Sequence, residues 1–143
     1  MTPEPSADQV LVLTIARGWD RVLRRLESGL NHVVGISLPE YRLLRAIAES
    51  PGGRASRVDL AEYVSLSPSG VTRALRPLEK LGFVETRKAE RDARLALASL
   101  TGEGEELVSN ASTIVDEVAA SILDGTSVGS REQLAVLLDG IAR

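Results

Sequence analysis

The chain has 143 residues, 43% apolar, 26% charged and 3% aromatic, with no cysteine and a single histidine, His32. One domain of ordinary size with an aliphatic core fits these figures, whereas disulfides, thiolate metal sites, a nucleophilic cysteine and thiol redox sensing are excluded. The net charge of −3 is spread unevenly: residues 1–53 set six basic side chains against six acidic, residues 54–100 nine against six, and residues 101–143 two against eight. A basic middle between a neutral and an acidic end can face phosphate while the rest keeps the chain soluble. With so few aromatics, a stacking platform for single-stranded nucleic acid is ruled out, and with one histidine no metal site is expected. The opening MTPEPSAD has no basic n-region, and no apolar run reaches about 18 residues, so neither a secretory signal nor a membrane span is expected and the chain reads as cytoplasmic.

In chain order, Val12, Ile15, Ala16, Trp19, Val22, Leu23, Leu26, Leu30 and Val33 repeat at three- and four-residue steps, which predicts a helix of about 25 residues with one long apolar stripe. Gly29 is expected to loosen its end. Ser37 and Glu40 form a capping box ahead of a second helix, with Pro39 in its first turn, and Ser50-Pro51-Gly52-Gly53 signals the turn that ends it. Ser56 and Asp59 form a second box before a short third helix. Ser67-Pro68 then reads as cap and first residue of a fourth helix, whose inner stripe is Val71, Ala74, Leu75, Leu78 and Leu81, with Gly82 as its stop. Only Ser65, Leu66 and the Ser67 cap separate the third and fourth helices, the spacing of a helix-turn-helix.

Phe83–Lys88 and Leu95–Leu100 read as two strands around the charged tip Ala89–Arg94, a hairpin that must lean on the helices because a two-stranded ribbon is marginal alone. Thr101 caps a fifth helix with Leu107, Ala111, Ile114, Val115, Val118 and Ile122 on one face and Gly125 at its end. Ser130 and Gln133 are expected to cap a last helix carrying Leu134, Leu137, Leu138 and Ile141. The fold class is therefore mainly α with a small β-hairpin wing.

Opposite the core stripe of the fourth helix stand Ser69, Gly70, Thr72, Arg73 and Arg76. Arg and Ser on an exposed face are common and a solvated face would also carry them. A tight turn before and a wing after favour a face that reads base edges: a slim leading turn enters a major groove, arginine matches guanine O6 and N7, and Ser67 with the first-turn amides can meet a phosphate. Arg87, Lys88, Arg91 and Arg94 surround the hairpin tip, which is either a solubilising tip or a basic finger. Arg54 and Arg57, near the start of the third helix, are further phosphate candidates.

The stretches Leu66–Glu85 (LSPSGVTRALRPLEKLGFVE) and Asp92–Gly104 (DARLALASLTGEG) resemble the turn, recognition helix and wing of the MarR family of bacterial transcription regulators, and the order of elements is similar over essentially the whole chain. The resemblance implies a winged helix-turn-helix in one domain, residues 1–143, with a DNA-binding lobe over 37–100 and dimerisation helices over 1–36 and 101–143. It also implies that Arg94 enters the minor groove and that Asp92 braces a nearby arginine. The expected function is sequence-specific regulation, with repression as the expected sign, by a homodimer on a pseudo-palindromic operator whose half-sites lie roughly 10 base pairs apart. A small, often anionic aromatic effector is a further implication, and Trp19, His32, Tyr41, Arg42 and Arg45 are the residues considered for its pocket. Pro77 departs from the family pattern and is expected to kink the recognition helix. Set against this are a winged-helix module that binds only protein, which the set Arg73, Arg76, Arg91 and Arg94 disfavours, and an enzyme, for which no phosphate loop, nucleophile elbow or metal cluster speaks. No catalytic residue, cofactor or metal is assigned.

Overall fold

The computed structural model describes residues 1, 3–92 and 94–142; Ala93 of the wing motif lies outside them. Ser6 caps α1 (Ala7–Val33) by accepting a hydrogen bond from the Gln9 amide. Helix α2 (Leu38–Glu49) begins at the predicted box, where Ser37 and Glu40 satisfy each other's amides. The Glu27 carboxylate of α1 also accepts from the Leu38 amide at 3.0 Å, tying the two helices at their junction. Helix α3 (Arg57–Val64) starts at the second predicted box, Ser56 with Asp59, and α4 (Pro68–Lys80) starts at Ser67. Pro77 does not end α4, which continues through it to Lys80. The carbonyl that loses its donor belongs to exposed Arg73, where water can replace it.

The sheet has three strands, β1 (Arg54–Ser56), β2 (Val84–Lys88) and β3 (Ala96–Leu100), antiparallel in the order β1-β3-β2. The first strand was not expected. Gly52 and Gly53, both at positive φ (65° and 67°), turn the chain after α2 so that Arg54, Ala55 and Ser56 run beside β3. One face of the sheet packs inward through Val84, Ala55 and Ala98. The core gathers there with Leu30, Leu43, Leu44, Ile47, Leu60, Val71, Leu75 and Leu78, all at most 1% exposed.

Helix α5 (Gly102–Ile122) crosses α1 where Gly29 lies. A Cβ on Gly29 would come 3.1 Å from Ile114 and 3.2 Å from Val118, so this glycine allows a close helix crossing and does not loosen an end. Helix α6 (Val128–Ile141) is capped by Ser127, not Ser130; Ser130 is the donor to that cap. No residue of α6 is buried, and Val136, Leu137 and Ile141 are each at least 65% exposed. The N-terminal half of α1 is equally bare, with Leu11, Val12 and Trp19 more than half exposed. Among the described residues no helix is long and apolar enough to cross a membrane.

Candidate nucleic-acid interface

Helices α3 and α4 meet through a turn of unusual backbone. Ser65 sits in the left-handed region (φ 55°, ψ 42°), alone among the described non-glycine residues. This lets both its own amide and that of Leu66 return to the Ala61 carbonyl, the latter at 3.1 Å. The chain then turns into α4 within two residues.

Val71, Leu75 and Leu78 anchor α4 in the core, which leaves Ser69, Arg73 and Arg76 exposed on its other side. The Ser67 hydroxyl accepts from the Gly70 amide at 3.0 Å and lies 3.2 Å from the Ser69 hydroxyl. A Cβ on Gly70 would approach that Ser67 oxygen to 3.2 Å, so the cap and the bare glycine belong together. The Thr72 hydroxyl donates back to the Pro68 carbonyl at 3.1 Å and keeps only its acceptor side for a partner. The leading turn of α4 is therefore slim and polar, and two guanidiniums follow it.

The wing projects beside α4. Thr86 of β2 donates its hydroxyl to the Glu79 carboxylate of α4, a contact between helix and wing that sequence patterning did not single out. At the tip Asp92 accepts from the Arg94 amide at 2.9 Å and, through its carbonyl, from the Leu95 amide at 3.0 Å. Asp92 thus braces the backbone of Arg94 and not its guanidinium, and Arg91 and Arg94 stay exposed. Arg54 stands on β1 as part of the sheet. Arg57 opens α3 half-buried, with its Nε enclosed and without a hydrogen-bond partner.

The base of the wing is stitched to α5. The Thr101 amide donates to the Phe83 carbonyl at 3.1 Å, its hydroxyl to the Gly82 carbonyl at 2.5 Å, and the same hydroxyl accepts from the Gly104 amide at 3.1 Å. The Leu-Thr-x-x-Gly run therefore fixes the α4–β2 turn on the first turn of α5.

The five residues considered for an effector lie apart from one another in character. Trp19 and His32 are exposed on α1, with His32 Nδ1 2.8 Å from the Ser28 carbonyl. Tyr41 is buried with its hydroxyl 3.1 Å from that of Ser112 on α5. Arg42 is exposed on α2. Arg45 donates to Glu49 at 2.6 Å, and Tyr63 of α3 donates to the other oxygen of Glu49 at 2.9 Å. The hydrogen bond from Arg45, and then that from Tyr63, holds the Glu49 carboxyl below the usual range, and the bond to Glu49 raises the Tyr63 hydroxyl. Among the described residues no group of three or more His, Asp or Glu side chains is placed to hold a metal ion.

Comparison with known proteins gives a consistent picture. A family model described as the MarR family matches residues 34–95. An HTH-type transcriptional repressor of Mycobacterium tuberculosis is 30% identical over 118 residues, 82% of this chain and 84% of its own length. Among solved structures, a MarR family transcriptional regulator of Streptomyces coelicolor, crystallised with DNA, superposes with a TM-score of 0.89 at 24% identity, over 99% of this chain and 90% of that one. Bordetella bronchiseptica BpsR, whose DNA binding is regulated by 6-hydroxynicotinic acid, superposes with a TM-score of 0.85 at 19% identity, over 99% and 98%.

Proposed function

The chain belongs to the MarR family of DNA-binding transcription regulators, and we propose that it acts as a homodimeric repressor that sets two copies of α4 into successive major grooves of a pseudo-palindromic operator. The observation that carries this is the exposed Ser69–Arg73–Arg76 face of α4, held outward by its buried Val71–Leu75–Leu78 face and flanked by the wing. In this reading Ser67, Ser69, Gly70, Thr72, Arg73 and Arg76 meet the major groove and its phosphates. Arg91 and Arg94, shaped by Asp92, meet the minor groove, and Arg54 and Arg57 meet backbone phosphate. Residues 37–100 form the DNA-binding lobe, and residues 1–36 and 101–143 form the dimer. The uncovered apolar surface of α1 and α6 supports that division, because a second chain would remove it from water.

The relative from Bordetella supports release by a small anionic aromatic effector, for which Trp19, His32, Tyr41, Arg42 and Arg45 are the residues we carry forward. We assign no catalytic role, in keeping with a family of transcription regulators, and place the chain in the cytoplasm with the DNA it binds.

The test is a selection of genomic fragments by the purified protein in modest salt, followed by sequencing. One enriched pseudo-palindrome is the expected result. A well-folded dimer that enriches nothing, with and without candidate effectors, would overturn the assignment of α4 as the reading helix.

A further inference from the structure

Helix α6 is buried nowhere along its length, yet its start is tied to the end of α5. No core therefore sets the angle at which it leaves α5. Gly125, at φ 76°, turns the chain, and the Thr126 amide closes that turn on the Leu123 carbonyl at 3.0 Å. Arg131, in the first turn of α6, reaches back across it. Its Nε donates to the Thr126 carbonyl at 3.0 Å and its Nη2 to the Leu123 carbonyl at 2.9 Å. Two donors on one edge of a planar guanidinium thus grip both sides of the joint, a two-point contact that a lysine point charge cannot make. Its positive charge also suits the negative end of α5. On an exposed joint such bonds add little stability; what they fix is direction. The other end of α5 is tied as well, because Thr101 and Gly104 hold it to the α4–β2 turn. One connected lever runs from α6 through α5 to the reading helix.

We propose that Arg131 is a positioning residue for operator reading: by holding the angle between α5 and α6, it sets the separation of the two α4 helices once α6 packs on the partner chain. This rests on the dimer proposed above. Helix α5 has 21 residues and so is about 31 Å long at about 1.5 Å per residue. Slack of about 10° at the joint moves the far end of such a lever by about 5 Å, more than the rise of about 3.4 Å between base pairs. A residue far from the DNA-binding lobe thereby selects the spacing between half-sites.

The experiment uses the full chain with Arg131→Lys and Arg131→Gln. Lysine keeps the positive charge at the end of α5 but not the two-point grip, so it separates a clamp from a general helix cap. The first readout is affinity for the selected operator and for versions whose half-site spacing is changed by one base pair. Wild type is expected to bind the altered spacings at least about tenfold more weakly, and both variants to level that difference to about threefold or less. The second readout needs no operator. The chain has no cysteine, so Asn110→Cys and Gln133→Cys, both at exposed positions, put one spin label on each helix, and labelled chains are diluted with unlabelled ones. The distance distribution between the labels should be narrow with Arg131 and broad in Arg131→Lys. A folded Arg131→Lys protein that keeps the wild-type spacing difference, or the wild-type distribution width, overturns the proposal. A wild type that stays monomeric or binds no operator defeats the function proposed above, and the label distances alone then decide the clamp.

Discussion

Gly104 stands so close to Phe83 that a Cβ on the glycine would lie 2.0 Å from the Phe83 carbonyl oxygen. The obstacle is backbone, itself held by the Thr101 amide, so it cannot swing aside as a side-chain end would. Gly104→Ala must therefore push α5 away from the α4–β2 turn. Overpacking of this kind costs about 1–3 kcal/mol. The expected result is a Tm lowered by several degrees and weaker operator binding, because the wing base and α4 share that turn. A variant with unchanged Tm and affinity would show that the turn does not depend on this close approach.

In the proposed interface Arg73 and Arg94 divide the recognition between them. Arg73→Ala is expected to relax sequence preference at one base pair, at roughly 1–3 kcal/mol for a lost base contact. Arg94→Ala is expected to weaken binding most where the flanks are A·T-rich and narrow, since a minor-groove arginine senses width. Binding measured on operators with single-base changes and with swapped flanks separates the two effects. If both variants select the wild-type operator with wild-type affinity, the interface lies elsewhere.

Assembly is open to a direct check. Leu137 is 65% exposed on α6 within one chain. In an isolated chain Leu137→Asp would be a neutral surface change. In a dimer that covers α6 it buries an unpaired charge. We expect the variant to sediment as a monomer, or to dissociate at protein concentrations where wild type remains dimeric.

Acid sensitivity follows from the link between α2 and α3. Because Arg45 and Tyr63 lower the Glu49 carboxyl in the folded state, the link contributes stability above the ordinary carboxylate pKa and loses it as pH falls through the folded value. For Tyr63 the sign is reversed: its raised hydroxyl contributes below the ordinary tyrosine pKa and is lost as pH rises through the folded value. Carboxyl-detected NMR titration should place Glu49 below the ordinary glutamate value, with Arg45→Gln moving it up more than Tyr63→Phe. A midpoint that neither substitution moves would dissociate the link from the titration.

Local signals in the sequence were enough for most of the framework. The boxes Ser37/Glu40 and Ser56/Asp59 and the cap Ser67 each close within three residues, and the structure forms all three. The outward placement of Arg73 and Arg76 likewise follows from the helical spacing of Val71, Leu75 and Leu78. What escaped depends on distant partners. Arg54–Ser56 is a strand only because β3 lies beside it, and three residues are too few for any alternation to register. Gly29 reads as a weak point until α5 is known to cross there. The start of α6 was misplaced because Ser127 and Ser130 are both good caps, and the residues between them offer no periodic contrast. The contact between Glu79 and Thr86 joins two elements whose relative angle no local pattern encodes.

Trp19 is the chain's only tryptophan, and it lies 51% exposed in the bare stripe of α1, away from α4 and the wing. The protein thus carries one tryptophan emitter, distinguishable from its two tyrosines by excitation near the red edge, placed where the proposed dimer would cover it. Its emission should shift to the red as the dimer is diluted apart and report subunit exchange in real time. Base contacts by Arg73 and Arg76 will be optically silent unless they alter how the two chains meet, so a change in tryptophan emission on adding operator reads out motion at the proposed subunit boundary, whereas an effector seated at Trp19 would change that emission by direct contact.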